Sequence, residues 1–339
     1  VHDRRFVDAW RSGGFDVQAL AADGTAPGQR TGVEWHSTLE DALATDPPDL
    51  VQAGPLTDVA PAVVERWQGP VLATSWGFDL MGDVAENPDA RSAVTATLRR
   101  SALLVDNDAA RDVALGLGAE ADRMLVIPWG IDLDRAAPGQ SHLRSRVSWE
   151  RECVILSVRS HEPLYQVDLV VRAFVRAARS STRLRLLVAG TGSQTAELRD
   201  VVRTAGLADR VLFLGELRAD DLIDAYRAAD LYVSASRTDG SSISLLEAMA
   251  CRVPVCVSDI PGNHQWVTAH TGVTFGVADE ATLAAEMERR AAEAIDDAAR
   301  LRLVENAARL VRTRADWAAN RRILVAAGRR LARREPLSA

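Results

Sequence analysis

Short apolar runs alternate with amphipathic stretches along most of this 339-residue chain. The runs fall at 49–52, 71–74, 103–105, 124–128, 153–158, 184–189, 211–214, 230–234 and 254–258, and stretches such as 57–67 and 90–100 lie between them. An unbroken Val/Leu/Ile run without two-residue alternation is what a parallel strand covered on both faces requires. Strands that alternate with helices build a doubly wound α/β sheet, and this length suits two such domains. The alternation pauses over 132–151, where no period holds, so the first domain is expected over 1–148 and the second over 151–310. From Glu280 to Arg334 the chain reads as almost all helix, with 311–339 as a closing helix.

Composition removes whole reaction classes. The chain has 40 basic residues and no lysine, so all of them are arginines. Chemistry that needs a lysine amine of this chain is excluded: pyridoxal-phosphate catalysis, Schiff-base aldol chemistry, P-loop phosphate binding and protein-kinase phosphoryl transfer. A net charge of -7 argues against nucleic acid as a partner. The arginines at 321, 322, 329, 330, 333 and 334 read as the solvated face of the last helix. Cys153, Cys251 and Cys256 sit in apolar strings without a CxxC pair and read as reduced core thiols, and the six scattered histidines predict no metal. No apolar run is long enough to span a bilayer and no signal peptide is apparent, so a cytoplasmic protein with no or only weak membrane association is expected.

Two stretches could carry chemistry. Gly190, Thr191, Gly192, Ser193, Gln194 and Thr195 approximate a GxGxxG, with Thr195 where the third glycine belongs. They read as a tight strand-to-helix turn whose amides could face an anion, and only weakly as a dinucleotide site. The second stretch, at 236–250, holds Asp239 and Glu247 eight residues apart, with the turn Gly240, Ser241, Ser242 between them at a helix start. Free amides at a helix N-terminus favour an anion, and an acid on each side suits a ligand with phosphates in its middle and hydroxyls at both ends. On spacing alone, an N-capped helix with two solvated acids explains the pattern equally well.

The string DGSSISLLEAMACRVPV at 239–255 resembles the E-x7-E signature of family 4 retaining glycosyltransferases of the GT-B fold. LVIPWGID at 125–132, DRVLFLG at 209–215, DAYRAAD at 224–230 and PGNHQWV at 261–267 resemble further elements of that family in the same order, and VHDRRF at 1–6 resembles its first helix. The resemblance implies two Rossmann-like doubly wound parallel-sheet domains facing across a cleft, with the last helix crossing back to the first domain. It implies a nucleoside-diphosphate sugar, GDP- or UDP-linked, as donor substrate on the second domain, no cofactor, and metal-independent transfer. Arg159 and Asp239 would be catalytic, Arg159 gripping the diphosphate and Asp239 contacting the transferred sugar. Glu247 would hold the ribose, amides around Gly240, Ser241, Ser242 and Ile243 would line the sugar and phosphate, and the backbone of Glu216 and Leu217 would meet the base. Arg237, Tyr165 and Gly190 complete the donor side, and Trp76, Gly77, Asp79 and Trp129 stand on the acceptor side. Asp132 and Asp134 spell a DxD that reads here as solvated loop.

The chain departs from the family at four points. Tyr165 replaces the usual lysine, Trp76 replaces a histidine, Asp239 is a methylene shorter than the usual glutamate, and the first strand with its Gly-rich loop would be expected just before Val1, outside this sequence. These departures support a second reading, a catalytically weak sugar-nucleotide-binding partner protein. A nicotinamide-dependent oxidoreductase built on 190–195 is a third. The acidic first domain, with Asp106, Asp108, Asp112, Glu120 and Asp122 close together, tilts the acceptor toward a small soluble molecule: a cyclitol, amino sugar, thiol metabolite or antibiotic precursor. Donor base, sugar and oligomeric state are not readable from the sequence.

Overall fold

The computed structural model describes residues 2–20, 33–45, 47–293 and 298–337. Val1 of the expected first helix and 294–297 of the expected helical tail lie outside them. Packing divides the chain into two units, Val1–Pro128 with Ala318–Ala339, and Trp129–Trp317.

The first unit opens with α1 (His2–Ser12) and the parallel pair β1 (Gln18–Leu20) and β2 (Glu34–His36). A four-stranded parallel sheet follows in the order β3 (Val51–Ala53), β4 (Val71–Thr74), β5 (Ala102–Val105), β6 (Met124–Val126). Every residue of β4 and β5 is buried, as strands covered on both faces must be. Val63, Val64, Val94, Leu98 and Ala110 from the flanking helices close over them.

The second unit holds six parallel strands: β7 (Cys153–Val158), β8 (Leu184–Ala189), β9 (Val211–Gly215), β10 (Leu231–Ser234), β11 (Val255–Ser258) and β12 (Val273–Phe275). They run β12-β11-β10-β7-β8-β9 across the sheet. The chain winds outward from β7 in one direction, returns, and winds outward from β10 in the other, which is the Rossmann order. Helix α2 (Val167–Ala177) buries Val167, Val170, Val171 and Phe174, one stripe at i, i+3, i+4 and i+7. Each such side chain contributes about 1.5–3 kcal/mol by leaving water. Helix α3 (Ile243–Ala250) is buried except at Ile243 and Glu247. Those two are four residues apart and so share one face.

The aperiodic stretch 132–151 packs in the second unit through specific polar contacts. Arg144 Nη2 meets Asp230 Oδ2 at 2.5 Å, the His142 amide donates to Asp224 Oδ1 at 2.8 Å, and Leu143 joins the core. The chain enters and leaves this unit side by side, because Ile131 N donates to Ala315 O at 2.8 Å and Trp317 N to Ile131 O at 3.0 Å. Gly130, at φ +65, permits this crossing, since a Cβ there would lie 2.9 Å from Ala315 O. The last helix, α4 (Trp317–Ala332), then packs on α1. A Cβ on Gly328 would fall 2.3 Å from the Trp10 ring, one on Gly13 would fall 2.6 Å from Val325, and Arg329 Nη2 donates to Gly13 O at 2.6 Å.

All nine expected strands are present within two residues of their expected bounds. β1, β2 and β12 carry no apolar run of their own, being three residues each and mostly half-exposed. All three cysteines are buried free thiols. Among the described residues, no helix is long and apolar enough to cross a membrane.

Candidate functional site

Open parallel sheets bind ligands outside the carboxyl ends of the strands where the winding reverses. In the second unit that point lies between β7 and β10. Arg159 directly follows β7, Ser236 and Asp239 follow β10, Gly190 follows β8, Glu216 follows β9 and Pro261 follows β11.

The fold brings Arg159, Tyr165, Ser236 and Asp239 together. Arg159 Nη2 forms an ion pair with Asp239 Oδ2, and Nε and Nη2 donate to Ser236 Oγ at 3.2 and 2.8 Å. The Tyr165 ring lies 4.7 Å from the guanidinium carbon, a cation–π contact. The Arg159 side chain is only 11% exposed and that of Asp239 20%. Nη1 makes no hydrogen bond among the described residues, so the fork keeps donors for an anion. Two glycines let neighbouring backbone close on this cluster. Gly190 sits at φ +118, where a Cβ would fall 2.0 Å from Arg159 O, and a Cβ on Gly262 would fall 2.1 Å from Asp239 O.

At the start of α3, Ser242 is the N-cap, and its hydroxyl accepts from Leu245 N at 3.5 Å and contacts Ser244 Oγ at 3.1 Å. Ser241 Oγ accepts from Gln265 Nε2 at 2.9 Å and Trp266 Nε1 at 3.2 Å. Both hydroxyls thus serve the protein interior, and a ligand at this end would meet helix amides instead. Glu247 lies one turn further on, beside Tyr226. Burial first, and then the Glu247 carboxylate, push that phenol well above its ordinary range. Glu216 Oε1 accepts from Thr191 Oγ1 at 3.3 Å, and Leu217 packs at the edge of the core. Arg237 is exposed, and its backbone amide donates to Leu164 O at 2.9 Å.

The stretch 190–195 is a strand-to-helix turn stitched to the residues after Arg159. Glu162 accepts from Ser193 N at 2.8 Å and Ser193 Oγ at 2.6 Å, bonds that hold its carboxyl below the usual range. Gly192 N donates to Thr195 Oγ1, and that hydroxyl donates to Gly192 O at 2.8 Å. The remaining partner of Thr195 Oγ1, His161 Nδ1 at 2.9 Å, must therefore be the donor. This assigns the neutral tautomer, with Nε2 buried and without a partner. Burial and then the Arg199 charge hold this imidazole below its ordinary value. Sequence reasoning nominated none of Ser236, His161, Glu162 and Gln265, because none belongs to a spaced pattern.

In the first unit, Trp76, Gly77 and Asp79 lie on the turn after β4. Asp79 is fully buried and accepts from Leu56 N (2.9 Å), Ser75 Oγ (2.5 Å), Trp76 N (3.2 Å) and Leu80 N (2.9 Å). Desolvation raises its pKa against those bonds. With both oxygens occupied, Asp79 shapes the turn that carries Trp76, Gly77 and the exposed Phe78. Trp129 is buried and falls in the second unit. Asp132 and Asp134 are exposed, and Asp132 Oδ1 accepts from the amides of Asp134 and Arg135, a loop turn. Among the described residues, no group of three His, Cys, Asp or Glu side chains could hold a metal.

The sequence model of the family described as glycosyl transferases group 1 matches residues 141–310, half of the chain. A D-inositol 3-phosphate glycosyltransferase of Geodermatophilus obscurus is 30% identical over 218 residues, covering 58% of this chain and 48% of that protein. The chain thus spans about half the length of the curated relatives it matches. Among solved structures, sucrose-phosphate synthase from Thermosynechococcus elongatus aligns with a TM-score of 0.78 at 19% identity, covering 98% of this chain and 93% of that one. Anabaena Alr3699/HepE in complex with UDP-glucose aligns with a TM-score of 0.70 at 18% identity, covering 82% and 77%. Likeness at these identities shows the fold, two Rossmann-like units with parallel sheets, the GT-B class expected from the sequence.

Proposed function

Because the chain belongs to the group 1 glycosyl transferases, we propose that it moves a sugar from a nucleoside-diphosphate sugar to a small acceptor, with retention of configuration and without a metal. The observation that carries this reading is the Arg159–Asp239–Ser236–Tyr165 cluster at the point where the second sheet reverses its winding. Arg159 Nη1 and the amides at the start of α3 hold the diphosphate, whose charge grows as the sugar carbon becomes oxocarbenium-like. Fixed donors aimed at that charge lower the barrier. Glu247, on the open face of α3, takes the ribose hydroxyls, and Asp239 takes hydroxyls of the transferred sugar. The acceptor attacks from the face the diphosphate leaves, and a diphosphate oxygen takes its proton. The names of the relatives support a cyclitol phosphate as the first acceptor to try and UDP as the first nucleotide.

A second reading, binding without turnover, draws on one observation: Asp239 already occupies Arg159, and Tyr165 brings no second charge. One experiment separates the readings. Calorimetric titration with UDP and GDP, then product analysis with the matching donor and D-inositol 3-phosphate, is expected to give binding and turnover. Glu247→Ala is expected to weaken binding at least tenfold. Binding without product from any polyol acceptor leaves the second reading. Binding of NAD instead of either diphosphate overturns both.

A further inference from the structure

The amino-terminal edge of the second sheet, opposite the site above, carries a separate cavity of about 440 Å3 at the starts of β7, β8 and β10. Four arginines, Arg144, Arg151, Arg183 and Arg290, line it together with four acids. Arg185 and Arg300, ion-paired to two of those acids, add positive charge behind it. Three of the four acids are engaged. Asp230 Oδ2 accepts from Arg144 at 2.5 Å and from Val154 N at 2.9 Å, Glu152 pairs through Oε1 with Arg185 at 3.3 Å while its buried Oε2 has no partner among the described residues, and Glu293 takes Arg290 Nη1 at 2.8 Å.

On the basic side, one deeply buried donor is unmatched. The Arg290 side chain is only 4% exposed, and its buried Nε has no acceptor among the described residues. A buried charged donor without an acceptor is costly to maintain. Burial first, and then the nearby Arg300 charge, lower its hold on its proton, and Asp230 opposes them. At the mouth, Arg151 and Arg183 are exposed, and the one hydrogen bond the Arg183 guanidinium makes among the described residues is Nη2 to Arg151 O at 3.2 Å. Cys153 lies on the wall, but burial and then Asp230 push its thiol up to about 12, so the cavity offers no thiolate nucleophile.

We propose that this cavity binds a small phosphate monoester non-covalently, with Arg151 and Arg183 meeting the phosphoryl oxygens at the mouth and Arg290 completing the grip within. The guanidinium fork matches phosphate oxygens, and the volume falls in the range of small-metabolite pockets.

The test is calorimetric titration with glycerol 3-phosphate and with inorganic phosphate, at constant ionic strength in chloride, on protein already saturated with UDP. Glycerol 3-phosphate is expected to bind one equivalent more tightly than inorganic phosphate. The exposed double variant Arg151→Ser/Arg183→Ser should weaken it at least tenfold while circular dichroism stays native. Arg159→Lys, at the opposite edge, should leave it within twofold. No saturable heat, equal affinity for phosphate and ester, an unaffected double variant, or loss in Arg159→Lys would each overturn the proposal.

Discussion

Arg159 divides a planar fork between Ser236 and Asp239 while stacking on Tyr165, an arrangement a lysine ammonium cannot reproduce. Arg159→Lys keeps the charge and loses the geometry. It is expected to cost about 1.5–3 kcal/mol of nucleoside-diphosphate binding, roughly a 10- to 150-fold rise in Kd by titration. His161 makes a different prediction. Its folded-state pKa lies below the ordinary 6.5, so below that pH the unfolded chain takes up a proton that the folded chain refuses. Stability from this residue is therefore full above about pH 6.5 and declines as pH falls toward the folded value. The charged groups facing it are Arg199, which deepens the shift, and Glu162, which opposes it. His161→Gln removes this slope, so the thermal midpoints of wild type and variant should converge between pH 7.5 and 5.5. A gap that stays constant over that range contradicts the assignment. At this scale spacing and likeness nominate Arg159, Asp239 and Glu247 from the sequence. They could not expose Ser236 or His161, whose roles arise only when the loops after β7, β8 and β10 converge.

Two helices of the second unit are bounded by left-handed residues that are not glycine: Gln166 at φ 46 before α2 and Arg252 at φ 60 after α3. The left-handed region costs a side-chain-bearing residue about 1–2 kcal/mol. Arg252 recovers part of that through its ion pair with Glu305 at 2.9 Å, but both side chains are over 40% exposed and such pairs contribute about 0–1 kcal/mol. Arg252→Gly is thus expected to stabilise the protein by about 1 kcal/mol, read as a higher urea midpoint with unchanged slope. Gly190→Ala should act in the opposite sense. Its φ of +118 and the 2.0 Å approach to Arg159 O leave no room for a methyl, so both stability and nucleotide binding should fall. The elements themselves were legible where burial is two-sided, because β5 then reads as an unbroken apolar run and β7 and β8 as runs interrupted once each, at Ser157 and Arg185. β12 was not, since Val273, Thr274 and Phe275 sit at the sheet edge and are too few to show a period.

The second unit is continuous in sequence, whereas the first draws on both ends of the chain. Periodicity revealed that the tail is helical. Its return to the first unit was legible only through family likeness, because the contact depends on small residues, Gly328 against Trp10 and Gly13 against Val325. Deleting 318–339 removes the buried side chains Leu324, Val325 and Ala327 from that unit, the two larger ones contributing about 1.5–3 kcal/mol each. Such a truncation should leave 129–317 resistant to trypsin and still able to bind UDP, while the first 128 residues become rapidly cleaved at their arginines. Equal protection of both parts would contradict the division. The split also sets an order of assembly on the ribosome. Domains ordinarily mature as they emerge, amino-terminal first, but here the first unit lacks its last helix until residues 318–339 have been made. The second unit can reach its native state during elongation, while the first stays unfinished until the whole of the second has been made.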